Sequence, residues 1–174
     1  MRKIASAIAA AAMAFTLSAA SAGPAAASFP SGKFKLSLNN AQYCVYANNL
    51  AGTAGFDTCA AHPLNILWSY DSTTQELSAN GGPPLETRCL SAGRELVRVE
   101  LVACGSGTYD TKWEQRTTSD GYTQLISTSS GGRSNRCLTF RPEEYYLDVR
   151  RCVAAAQEDG EQDDVNQHWY FASV

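Results

Sequence analysis

Short runs in which apolar and polar residues alternate dominate the chain after residue 30, and nowhere does an amphipathic helical period persist for three turns. Phe34, Leu36 and Leu38 alternate with Lys35 and Ser37, which predicts a strand with one face turned to a core. The same two-residue period recurs in Ala54 and Phe56, in Val99 and Leu101, and in Leu147 and Val149, with the intervening residues expected to face outward. Leu77 and Leu125 stand in further short runs, and Asn80-Gly81, Gly81-Gly82 and Gly131-Gly132 punctuate the spaces between. The predicted class is all-β.

These runs belong to a repeat. Cys44 and Cys59, Cys89 and Cys104, and Cys137 and Cys152 each obey C-x14-C, and successive pairs begin 45 and then 48 residues apart. In every unit the apolar pair named above falls five and three residues before the second cysteine. Trp68 and Trp113 lie nine residues after that cysteine and Trp169 lies 17 after it, so the third unit carries eight additional residues. They fall within residues 154–165, an Ala-rich and then acidic stretch that reads as a loop insertion. Three units, at about 33–76, 77–124 and 125–174, of roughly four short strands each suit a closed barrel of pseudo-threefold symmetry with few open edges. Pairing within a unit is the simplest of the connectivities open to six cysteines. Closing each such loop stabilises by roughly 3 kcal/mol in the chain-entropy view. Trp68, Trp113 and Trp169, at equivalent places, are expected in the core, one from each unit meeting near the pseudo-axis.

Residues 1–27 change the picture of compartment. Arg2 and Lys3 precede an apolar stretch from Ile4 to Leu17, and small-x-small patterns follow at Ala20-Ser21-Ala22 and at Ala25-Ala26-Ala27, the second being favoured for cleavage. The stretch is too short and too soon interrupted to span a bilayer, so a secreted, extracellular protein without membrane insertion is expected. Loss of Arg2 and Lys3 leaves 12 basic against 17 acidic residues, a net charge of -5, which argues against a nucleic-acid partner. The remaining 147 residues fit one domain over 33–174. An even number of cysteines in an exported chain favours disulfides over metal thiolates.

Cys44-Val45-Tyr46, Cys89-Leu90-Ser91 and Cys137-Leu138-Thr139 are followed by Asn65-Ile66-Leu67-Trp68, Asp110-Thr111-Lys112-Trp113 and Asn166-Gln167-His168-Trp169. These segments resemble the repeats of the ricin-type lectins, which read Cys-Leu/Val-Asp, then a hydrophobic strand ending in Cys, then Asn-Gln-x-Trp. The resemblance covers roughly residues 33 to 174 and implies a β-trefoil with one disulfide per repeat. It also implies carbohydrate binding in a shallow pocket on each repeat. There the family uses the Asp after Cys-Leu/Val, a polar residue and an aromatic on the strand before the second Cys, and the Asn of the last motif. Carboxylate and amide groups match paired sugar hydroxyls, and an aromatic face covers the apolar side of the ring. In this chain the Asp position holds Tyr46, Ser91 and Thr139, and the aromatic position holds Asp57, Val102 and Arg150, so galactose specificity does not carry over.

The third unit keeps most of the pattern and is the expected site: Thr139, Asp148, Arg150, Asn166 and Gln167, with Tyr146 and its neighbour Tyr145 able to supply a ring. A secondary site is expected in the first unit from Tyr46, Asp57 and Asn65, whereas Ser91, Glu100, Val102 and Asp110 make the second unit the poorest candidate. The expected function is non-catalytic binding of a glycan or glycoconjugate. The alternative is an extracellular protein-interaction domain such as a trefoil protease inhibitor, its loop stiffened by Pro83-Pro84 or Arg141-Pro142-Glu143.

No cofactor or metal is expected. Glu158, Asp159, Glu161, Asp163 and Asp164 could gather calcium but lack the spacing of an EF-hand loop, and read as a solvated insertion that rims the third site. Only two histidines are present: His62, in a loop before Pro63, and His168, expected to face away from the core. Ser91 and Ser106 lack a G-x-S-x-G setting, and no carboxylate pair has a spacing that marks glycoside hydrolysis, so no enzymatic activity is expected.

Overall fold

A computed structural model describes residues 28–38, 42–48, 51–63, 65–79, 87–93, 98–105, 110–128, 135–153 and 165–174. The expected export signal at 1–27, Pro83-Pro84 and the acidic residues 158–164 lie outside the described residues. Regular structure among the described residues is twelve strands and one 3-10 turn, Val165–Gln167. The strands are β1 (Phe34–Leu38), β2 (Tyr43–Asn48), β3 (Thr53–Thr58), β4 (Leu67–Asp71), β5 (Glu76–Ala79) and β6 (Arg88–Ser91). They continue as β7 (Glu100–Ala103), β8 (Trp113–Thr117), β9 (Thr123–Ser127), β10 (Arg136–Arg141), β11 (Tyr146–Arg151) and β12 (Trp169–Ser173). The fold is all-β, as the alternating runs predict.

One pairing plan recurs along the chain. β1 pairs with β2, β2 with β3 and β1 with β4; β9 pairs with β10, β10 with β11 and β9 with β12. Between them β5 pairs with β6 and β6 with β7, and a bridge from Glu76 to Lys112 joins β5 to the residue before β8. Antiparallel contacts β4–β5 and β8–β9 connect these groups, and β12 returns to β1 with registers from Phe34↔Ser173 to Leu38↔Trp169. First and last strands therefore cover one another's edges. The three intervening hairpins meet where Thr53 faces Glu100, where Tyr146 faces Gly55, and where the Val99 N–H donates to the Leu147 carbonyl at 2.9 Å.

Disulfides close Cys44–Cys59, Cys89–Cys104 and Cys137–Cys152, with Cα separations of 4.9, 5.0 and 4.9 Å, so each joins the two cysteines of one C-x14-C unit. Just inside them the three tryptophans are buried in one hydrophobic cluster with Leu36, Val45, Leu77, Leu90, Leu125 and Leu138. An indole N–H cannot be buried without an acceptor. Each finds the carbonyl of the residue after the first cysteine of its own unit: Trp68 to Val45, Trp113 to Leu90 and Trp169 to Leu138, all at 2.9 Å. Ala54, Phe56, Val99, Leu101, Leu147 and Val149 are buried as their alternation requires.

Two residues depart from the expected outward face. Asp148, between Leu147 and Val149, is fully buried, because it lies opposite Thr139 in the β10–β11 ladder and Arg150 folds back to donate from Nε to its Oδ2 at 2.9 Å. His168 is also buried, because Tyr122 stacks on it with ring centroids 4.1 Å apart. At the other end of the chain Phe29 stacks on Tyr70 at 3.8 Å and meets the edge of Phe171 at 5.4 Å, so packing begins upstream of residue 33.

The backbone after each second cysteine is tied down differently in different units. In the third unit Gln167 Oε1 accepts the N–H of Val153 at 3.0 Å. The second unit has Thr111 in the Gln167 column, and Glu76 of β5 supplies the acceptor instead. Its carboxylate takes the Gly105 N–H at 3.0 and 3.2 Å and the Thr111 hydroxyl at 2.7 Å. The first unit has Ile66 in that column, buried as a core residue.

Candidate functional site

In the third unit the strands withdraw several of the expected residues from solvent. Thr139 is fully buried; its hydroxyl donates to the Cys137 carbonyl at 3.0 Å and accepts from Gln167 Nε2 at 3.1 Å. Gln167, also fully buried, donates to Arg151 O at 3.0 Å and accepts from Val153 N and from Gln124 Nε2. Two donors and two acceptor positions are all a side-chain amide has, so Gln167 holds the fold and has nothing left for a ligand. Asp148 is buried behind Arg150. Tyr146 is half-buried and lies beneath the Arg98 guanidinium, 4.9 Å from its ring centroid. Arg150 and Asn166 are likewise half-buried. Tyr145, at φ +52° in the β10–β11 turn, is 72% exposed.

The first unit is arranged differently. The Tyr46 ring lies over Gly55, directly opposite on β3, where even a methyl group would collide with it. The His62 ring stacks face to face on Tyr46, with centroids 4.0 Å apart and planes inclined by 15°. His62 Nε2 lies 3.1 Å from Asp57 Oδ2, and these side chains are 31% and 47% exposed. The other oxygen of Asp57 accepts the Thr58 N–H at 2.6 Å, which fixes the carboxylate. The Asn65 carbonyl accepts the Ala47 N–H at 2.8 Å, which ties its backbone to the residue after Tyr46. Tyr46 and Asp57 thus come together as a partly exposed set. His62 completes it and has no sequence signal of its own, since the loop from Cys59 decides where its ring lands.

In the second unit Ser91 is buried with its hydroxyl accepting the Gly93 N–H at 3.3 Å, and Val102 is buried as well. The Asp110 carbonyl accepts the Ala92 N–H at 2.8 Å, the counterpart of the Asn65 contact. Glu76 lies near Cys89 and Cys104, but those sulfurs bond each other and are not free to bind a metal. Arg141 and Glu143 form an ion pair at 3.7 Å around Pro142 in the β10–β11 turn. No protein-family model, curated protein or solved structure matches the chain.

Proposed function

We propose that this chain is an exported β-trefoil that binds carbohydrate without covalent chemistry, and that its working site is the Tyr46, Asp57 and His62 cluster of the first unit. The trefoil reading is supported by the recurrence of one pairing plan and one indole-to-carbonyl bond in each disulfide-closed unit. The carrying observation for the site is the Tyr46–His62 stack edged by a half-exposed, oriented Asp57 carboxylate. The outer face of the His62 ring, backed by Tyr46, offers a flat π surface to the C–H face of a sugar ring, and a carboxylate accepts from adjacent hydroxyls. The third unit, favoured by its motif, has its polar groups engaged within the fold and serves at most through Arg150 and Asn166.

A panel of neutral mono- and oligosaccharides titrated into the mature, oxidised protein tests this. Tyr46→Ala and Asp57→Asn are expected to weaken binding at least about tenfold, the size of losing a hydrogen bond to a charged group. Asn166→Ala should leave binding unchanged. A blank panel, or loss of binding on Asn166→Ala alone, contradicts the assignment. The exposed Tyr145, held at positive φ on a turn containing Pro142, favours protease inhibition as a second reading. Inhibition of a protease that is abolished by Tyr145→Ala, with a blank sugar panel, would establish that instead.

A further inference from the structure

A cleft of about 290 Å³ opens between the end of β8, the turn after it, Asn135 just before β10, and Cys152-Val153 after β11. None of its lining residues belongs to the expected sugar positions. Among the described residues Arg116 is the one cation lining it, beside Thr117, Ser119, Gln124 and Asn135.

Arg116 is held by side-chain amide oxygens. Its Nε and Nη2 donate to the single oxygen Gln124 Oε1 at 3.3 and 2.7 Å, and Nη1 donates to Asn135 Oδ1 at 2.9 Å. Gln124 is fully buried, and its Nε2 donates to Val153 O at 2.8 Å and to Gln167 Oε1 at 3.3 Å. Those two acceptors decide which way the amide points, so its oxygen must face Arg116. Asn135 is presented from a left-handed backbone, φ +84°. Both acceptors are neutral, and among the described residues no carboxylate lies within ion-pair distance of Arg116. Asp120, in the neighbouring turn, is bonded to the Thr118 hydroxyl, which holds its carboxyl below the ordinary range.

We infer that this cleft is a second binding site, for the carboxylate of an acidic sugar residue such as a hexuronate. The guanidinium keeps its full charge and one N–H on each terminal nitrogen, a donor set suited to a carboxylate. Its direction is already set by Gln124 and Asn135, so little side-chain entropy is lost on binding. The volume lies at the small end for ligand pockets and suits a single ring, and hydroxyl and amide walls suit its hydroxyl groups. The sugar part of this inference rests on the carbohydrate reading above; the carboxylate part rests on Arg116 alone.

The test is a titration of the mature, oxidised protein with glucuronate and galacturonate, with glucose and galactose, and with acetate, followed by amide chemical shifts. The uronates are expected to shift Arg116, Asn135 and Val153 and to bind at least about tenfold tighter than the neutral hexoses or acetate, more weakly as salt rises. Arg116→Gln should bring uronate down to the hexose level. Ser119→Asp, at an exposed wall position that leaves the Arg116 hydrogen bonds intact, should do the same and serves if Arg116→Gln fails to fold. Equal binding of uronate and hexose, acetate matching uronate, or uronate binding that survives both variants overturns the proposal. Tyr46→Ala should leave uronate binding unchanged, so neutral-sugar binding at Tyr46 and His62 can fail while this site stands.

Discussion

Glu76 is a carboxylate in the position where a core strand begins, and its replacement separates hydrogen bonding from simple packing. Two donors converge on Oε1: the Thr111 hydroxyl at 2.7 Å and the Gly105 N–H at 3.0 Å, the latter also 3.2 Å from Oε2. Glu76→Ala strands both. Thr111 is buried and its hydroxyl is left without an acceptor, which costs about 1–3 kcal/mol. Gly105 is exposed, so water takes over much of its bond and adds only a fraction of that. The expected total is roughly 2–3 kcal/mol, or a fall in Tm of roughly 4–12 °C for a chain of this size. Glu76→Gln keeps an oxygen at the Oε1 position and loses only the charge and the second contact, so it should cost about 1 kcal/mol. Urea unfolding at neutral pH without reductant, followed by tryptophan fluorescence, measures both. Equal losses for the two variants, or a loss below about 0.5 kcal/mol for Glu76→Ala, would refute the claim that Glu76 replaces the missing glutamine of the second unit.

Other expectations follow from the same geometry. Gly55→Ala should push the Tyr46 ring off its seat and away from His62 at a stability cost of about 1 kcal/mol, seen as a change in the ring-current shifts of the His62 protons and as weakened neutral-sugar binding. If the His62 shifts and affinity are unaltered, the stack is not held by Gly55. Replacing Cys89 and Cys104 together by Ala opens a loop whose ends are 15 residues apart and should lower unfolding free energy by roughly 3 kcal/mol; an unchanged urea midpoint would speak against it. Backbone N–H bonds from Thr73 and then Thr74 hold the Asp71 carboxyl below its ordinary 3.8. Its contribution to the β4–β5 turn is therefore complete above that value and is lost as pH falls through the lower folded-state one. A carboxyl-carbon NMR titration with a midpoint at or above 3.8 would contradict this.

Much of the scaffold is legible in the linear chain because the relevant chemistry is local or periodic. A two-residue apolar period identifies strand faces, and equal C-x14-C spacing made pairing within each unit the simplest choice. Tryptophan nine residues after the second cysteine in two units, and 17 after it in the third, marks a buried position in each. The site is less legible because identical motif columns have different fates. Gln167 keeps the motif and is absorbed with Thr139 into a closed hydrogen-bond network, whereas Tyr46, in the same column as Thr139, stays half-exposed.

The order of apolar residues and cysteines by itself determined the strand class, the closures and the core tryptophans, since each depends on spacing along one short segment. Tertiary structure alone decided which polar groups have hydrogen-bonding capacity left over. That Gln124 turns its oxygen to Arg116, that Glu76 serves Thr111, and that His62 lands on Tyr46 are outcomes of packing between strands distant in the chain. A polar side chain is saturated or available according to what faces it across the sheet, and spacing along one strand carries no record of that.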